Sequence, residues 1–179
     1  ASLLLNGPFD IDAFSGALQA LVDRHEALRT RFVVTNEEPR QVIDSNPDIR
    51  VERIDLSEEA DPQLKARELA HNHAAQPFDL ARGPLIRVSV LKLADNRHVL
   101  LFNVHHIVAD EWSMSLLVQE ITVLYEAALE GRHAELADLP IQYKDYAVWQ
   151  RDALETTVPE GDRSFWLAQF PFSPPVLDL

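Results

Sequence analysis

A chain of 179 residues, 46% hydrophobic and 25% charged, has the composition of a folded globular protein with one good-sized core or two small ones; it excludes extended disorder and collagen-like order. Sixteen Lys and Arg against 29 Asp and Glu leave a formal charge of −13, which repels phosphate backbones and anionic lipid heads, so nucleic acid and membrane surfaces are excluded as expected partners. Cysteine is absent, which removes a disulfide framework, a thiolate metal site and a Cys nucleophile. With no apolar run of about 18 residues and no secretory pattern in Ala1 to Asp10, the cytoplasm is the expected compartment.

In chain order, Ser2 to Asn6 reads as a short apolar strand cut by Gly7-Pro8, after which Asp10 is placed to cap a helix. Ile11, Phe14, Leu18, Leu21 and Val22 recur at helical spacing, and the helix should end between His25 and Ala27. Leu28 to Thr35, a polar turn at Asn36 to Pro39, and Gln41 to Asp44 form a predicted hairpin, with Arg50 to Ile54 a further short strand. A charged, superficial helix is expected from Pro62 to Gln76, capped by Asp61 and stopped by Pro77. Pro84 to Leu93 and His98 to Val104, separated by residues 94–97, are the strongest hairpin; their near-continuous apolar runs imply burial on both faces and a central place in the sheet. After Asp110 to Ser113 a long helix follows, its stripe of Leu116, Leu117, Ile121, Leu124 and Tyr125 ending at Gly131. Residues 141–154 mix aromatic and charged side chains, Asp162 to Phe170 is a last short helix, and residues 171–179 form a proline-rich linker.

The segment HHIVADEWS, His105 to Ser113, sets two imidazoles and a carboxylate between a buried strand and a helix. Imidazole suits proton transfer near neutral pH when one ring nitrogen is held as donor and the other is open to accept. Strand neighbours point to opposite faces, so only one of His105 and His106 should face a substrate, the other being structural. His106 and Asp110 would share a metal only if that turn were helical, and a third ligand is lacking; His71 and His73 lie about 200° apart on their helix. No metal is therefore expected. RHEALRTRF, Arg24 to Phe32, offers arginines near a helix C-terminus, where the dipole favours them, and an arginine there suits a buried Asp110 as partner. YKDYAVWQR, Tyr143 to Arg151, reads by itself as the amphipathic cover of a core, and Ser113 as a helix cap, since no G-x-S-x-G context surrounds it.

Taken in order, RHEALRTRF, PFDLARGPLIR, HHIVADEWS and YKDYAVWQR resemble the successive signatures of the condensation domains of nonribosomal peptide synthetases, across most of the chain. The resemblance implies a chloramphenicol-acetyltransferase-like fold of two lobes flanking a tunnel. It also implies peptide-bond formation between an acyl or peptidyl thioester and the amine of an aminoacyl thioester, as in antibiotic or siderophore biosynthesis. Both substrates would ride on phosphopantetheine arms of peptidyl carrier proteins upstream and downstream, and no cofactor would be bound by the chain itself. Carried over residue by residue, His106 stands beside the reacting amine with His105 in support. Asp110 pairs with Arg29 (or Arg24), so that Asp110→Ala should unfold the domain. Glu111, Trp112, Ser113, Tyr143 and Trp149 belong to the substrate tunnel. Where the family's HHxxxDG motif has Gly, position 111 here is Glu.

The expected fold is thus an α/β sandwich: a mixed central sheet holding Pro84 to Val104, with helices at 10–26, 61–76 and 112–131 packed on it and the His105–His106 loop at its exposed edge. Residues 1–170 would be the N-terminal lobe, sticky or dimeric without the C-terminal lobe that belongs beyond residue 179. Two alternatives stand beside catalysis of condensation: a module that only docks carrier proteins, its site blocked by Glu111, and an acyltransferase using an acyl coenzyme A.

Overall fold

The computed structural model of the protein describes residues 1–45, 47, 49–157, 160–170 and 172–173. Two units divide the chain, Ala1–Leu139 and Pro140–Leu179. In the first, the elements are β1 (Ser2–Asn6), α1 (Ile11–Arg24), a 3-10 turn (Glu26–Arg29), β2 (Thr30–Thr35), β3 (Glu38–Ile43), β4 (Val51–Asp55), α2 (Pro62–Ala75), β5 (Ile86–Ala94), β6 (Arg97–Val104) and α3 (Glu111–Glu130). The second holds α4 (Tyr143–Thr157) and α5 (Glu160–Gln169).

The two long apolar runs pair with each other, β5 antiparallel to β6 from Ile86↔Val104 to Ala94↔Arg97, and occupy the middle of a four-stranded sheet of order β1-β6-β5-β4. Alternation sends Ile86, Val88 and Val90 to one face and Leu91 and Leu93 to the other. Against the first face pack Phe14, Leu18, Leu21 and Val22 of α1 and Leu117 of α3; against the second, Ala66 and Leu69 of α2. Each fully buried leucine of this kind contributes about 1.5–3 kcal/mol. β4 runs parallel to β5, and α2 makes the crossover that a parallel pair requires. The result is the mixed, helix-covered sheet expected from the hydrophobic pattern.

Capping sets the helix starts. Asp10 accepts from the amides of Asp12 and Ala13 at 2.9 Å each, and Asp61 accepts from Leu64 at 3.0 Å with Pro62 opening α2. Gly131, in the left-handed conformation at φ 65°, closes α3.

Both hairpin turns are tighter than the sequence suggests. β2 and β3 are joined by Asn36 and Glu37 alone, at φ 53° and 66°, so Pro39 lies within β3 opposite Val34 and not in the turn. In a two-stranded sheet both strands are edges, where proline's missing donor is tolerated. The second hairpin turns at Asp95 and Asn96, with a register shift between Lys92 and Ala94. Leu28, expected to open a strand, belongs to the 3-10 turn and sinks into the core beneath α1.

In the second unit, the aromatic and charged alternation of residues 141–154 is helical from Tyr143 on, and α5 starts two residues before the expected Asp162. On α4, Tyr143, Tyr146 and Trp149 recur every third residue and their rings follow one another at 5.7 Å. Most of the proline-rich linker expected at 171–179, namely 171 and 174–179, lies outside the described residues.

Candidate active site

Sheet pairing reaches one residue past β6. The His105 amide donates to the Leu85 carbonyl at 2.9 Å, and the chain then turns, with the Val108 amide on the His105 carbonyl at 3.0 Å. Inside this turn the His105 side chain is an acceptor: the Ile107 amide donates to its Nδ1 at 3.0 Å. That acceptor role assigns the proton of the neutral ring to Nε2. The Phe78 ring stands edge-on to His105, centroids 6.0 Å apart and planes at 82°. His105 is thus half-buried and held, whereas His106 at the crest of the turn is exposed. The histidines are divided by the turn and not by strand alternation, because β6 ends at Val104. The turn sits at the end of the central strands, not along an edge strand, and Ala109 anchors it in the core.

Asp110 ends the turn as the N-cap of α3. Its Oδ1 accepts from the Ser113 amide at 2.8 Å and the Ser113 hydroxyl at 2.6 Å. These two bonds, the hydroxyl first, hold the Asp110 carboxyl below its ordinary value of 3.8, and the charge of His106 acts in the same direction. Ser113, expected as the cap, is instead the third helical residue and donates back to the true cap. Glu111 takes the first helical position, exposed, where the dipole welcomes a carboxylate. Trp112 is 86% exposed.

The expected pairing of Asp110 with Arg29 or Arg24 is not formed. Asp110 is exposed and satisfied three residues away, which costs little ordering, so it has no need of a distant cation. Arg29 donates to the Asp44 carbonyl at 2.9 Å and lies 3.8 Å from Glu26. Arg24 reaches inward to α3, its Nε 3.1 Å from Glu120 Oε2, and a second nitrogen donates to the Ala137 carbonyl. His25 Nε2 meets the same Glu120 oxygen at 2.6 Å. The turn therefore brings together His105, His106, Asp110, Glu111, Trp112 and Ser113; Arg24 and Arg29 belong to other networks, and Tyr143 and Trp149 lie exposed on α4 in the second unit.

Three residues around the turn escape sequence reasoning: Phe78, Arg87 and Asn103. The Arg87 guanidinium lies over the Phe78 ring at 4.5 Å. It donates to the carbonyls of His73 at 3.2 Å, Gln76 at 3.3 Å and Pro77 at 3.2 Å, while the Asn103 amide donates to the His73 carbonyl at 2.8 Å. Phe78 and Arg87 stand in PFDLARGPLIR, which contributed to the resemblance as a segment, but neither residue was given a role there, because its glycine and prolines read as a turn and a strand entry. Glu120 escapes it too, although a carboxylate on the apolar stripe of a helix is a visible signal of a buried partner. A cleft of about 300 Å³ opens beside Phe78 and Arg87, with Pro84 and Ile86 in its wall. Among the described residues, no cluster of three or more metal-ligating side chains exists.

Fold and turn together define an α/β lobe that presents one imidazole, backed by a second, at the open end of a buried hairpin. The chain belongs to the condensation-domain family, whose model matches residues 1–179. It is 44% identical over 177 residues to one of the linear gramicidin synthase proteins of Brevibacillus parabrevis, covering 98% of this chain and 2% of that protein. It is 39% identical over 180 residues to surfactin synthase subunit 1 of Bacillus subtilis, covering 100% of this chain and 5% of that protein. The starter condensation domain of rhizomide synthetase superposes with a TM-score of 0.84 at 25% identity, over 97% of this chain and 42% of that one. The first condensation domain of the calcium-dependent antibiotic synthetase, in complex with a substrate analogue, gives 0.79 at 28% identity, with the same coverage. The chain thus spans well under half of these relatives, and its fold is the chloramphenicol-acetyltransferase-like one that the resemblance implies.

Proposed function

We propose that this chain is the N-terminal lobe, residues 1–170, of a condensation domain that joins a carrier-bound acyl or peptidyl thioester to the amine of a carrier-bound aminoacyl thioester. The observation that carries the reading is the exposed His106 on a turn held by His105, at the open end of the central strands. The amine nitrogen attacks the thioester carbonyl, the C–N bond forms, the C–S bond breaks, and the phosphopantetheine thiol leaves with a proton. His106 accepts the amine's proton or holds the amine while the tetrahedral state forms. Asp110 keeps the first turn of α3 in place, and Glu111, Trp112 and Ser113 line the substrates' path. The partners are upstream and downstream peptidyl carrier proteins, the C-terminal lobe and the neighbouring synthetase domains, in the cytoplasm. No helix among the described residues is long and apolar enough to cross a membrane.

The test is amide formation by the whole condensation domain with both carriers loaded. His106→Ala should lower the rate by about 100-fold or more and leave thermal stability unchanged. An undiminished rate would remove His106 from the chemistry. A parent domain that binds both loaded carriers yet forms no amide would favour the docking module, the reading to which Glu111 in the family's Gly position points.

A further inference from the structure

We propose that Arg87 is a positioning residue for the His105–His106 turn, acting through Phe78. The inference rests on the reading of the turn as the site of amide formation.

Arg87 lies on β5 next to the pair Ile86↔Val104, where the chain of β6 runs on into His105. Its guanidinium has two roles. Its edge gathers three carbonyls, those of His73, Gln76 and Pro77, at the C-terminal end of α2. A cation is favoured there, because the last carbonyls of a helix lack intrahelical donors. Its face covers the Phe78 ring at 4.5 Å, so Phe78 is clamped from one side by the arginine and set edge-on against His105. The same three carbonyls belong to the chain that leads directly into Phe78, so one side chain fixes both the backbone before Phe78 and the ring itself. Asn103, two residues before His105, joins the assembly by donating to the carbonyl of His73.

His105 in turn orders the loop. With its ring orientation set by Phe78, Nδ1 is aimed at the Ile107 amide, and this bond spans His106. The residue expected at the chemistry is therefore bracketed by the two ends of a hydrogen bond whose acceptor ring is held by Phe78. Arg87 makes no hydrogen bond to His105 or His106; its bonds go to the carbonyls before Phe78. Lysine would not replace it, since a single ammonium has neither the planar face nor the fork of donors.

A merely structural role, capping α2, predicts loss of stability alone. The two roles separate with Arg87→Met, which removes donors and cation, and Phe78→Leu, which keeps all three carbonyl bonds and removes only the ring. In the whole condensation domain, each variant should lower kcat between about tenfold and 100-fold, the range of a catalytic group displaced by a fraction of an ångström to one ångström. KM for both loaded carriers should stay unchanged. The double variant should be no slower than the worse single one, because both act through His105. Histidine-labelled protein gives a readout independent of turnover: both variants should shift the His105 ring protons and its Nδ1 resonance. If Phe78→Leu leaves both kcat and the His105 signals unchanged, or the effects on kcat simply add, the proposal is overturned. Should the parent form no amide, the condensation reading fails, and the His105 resonances decide the positioning alone.

Discussion

The turn that follows β6 and the segment that follows α1 are both rich in charge, and they satisfy it in opposite ways. From His105 to Ser113 the polar groups stay at the surface and bond to neighbours two or three residues away: Nδ1 of His105 to Ile107, Asp110 to Ser113. At the end of α1, Arg24 and His25 turn inward and find a partner across the fold, converging on Glu120 some 95 residues on. The lesson concerns cost. An exposed carboxylate gains little from a distant cation once a helix cap is at hand, whereas a carboxylate taken out of water, such as Glu120 with 8% of its side chain exposed, must be paired. A turn whose charges are locally satisfied can change its side chains at small cost to the fold, which suits a site of chemistry.

The sharpest way to break this contrast is to remove the buried acid. Glu120→Ala removes the buried carboxylate on which Arg24 and His25 converge, and denaturant unfolding should show a loss of about 3 kcal/mol or more. A loss below about 1 kcal/mol would mean that this cluster is as well solvated as the turn. Asp110→Ala removes only a cap, so the domain should fold and lose about 1 kcal/mol, against the unfolding that a buried Asp110–Arg29 pair would entail. Insoluble or unfolded Asp110→Ala protein would restore a long-range partner for the carboxylate.

A third, smaller effect depends on pH. Burial, and then the Arg87 charge, hold the His73 imidazole below its ordinary value of 6.5, with Glu52 opposing them. Below 6.5 the unfolded chain therefore binds a proton that the folded chain refuses. The stability carried by neutral His73 is whole above pH 6.5 and is lost as the pH falls from there toward the lowered folded value. His73→Gln should flatten this decline in melting temperature relative to the parent, and an unaltered slope would assign the titration to another group. The smallest effect on folding belongs to Glu111→Gly at the exposed start of α3: unfolding within about 1 kcal/mol of the parent, with faster amide formation by the whole domain. A Gly variant no faster than the parent would show that Glu111 points away from the substrates' path.

What could be read from the sequence was local. Asp10 and Asp61 sit next to the amides they cap, Gly131 ends the helix it follows, and the apolar runs of β5 and β6 announce burial on both faces because side-chain period and burial are properties of the segment itself. The paired histidines were legible for the same reason, as polar residues between a buried strand and a helix. What the tertiary structure decided was partnership: that β4 runs parallel to β5, that Asp110 turns to Ser113 and Arg24 to Glu120, and that Arg87 closes on Phe78 and Phe78 on His105. Spacing along the chain measures distance only within a helix, strand or turn. A guanidinium offers the same donors to a carboxylate, a run of helix-end carbonyls or an aromatic face, and packing selects among them by placing one within reach and excluding water from the rest.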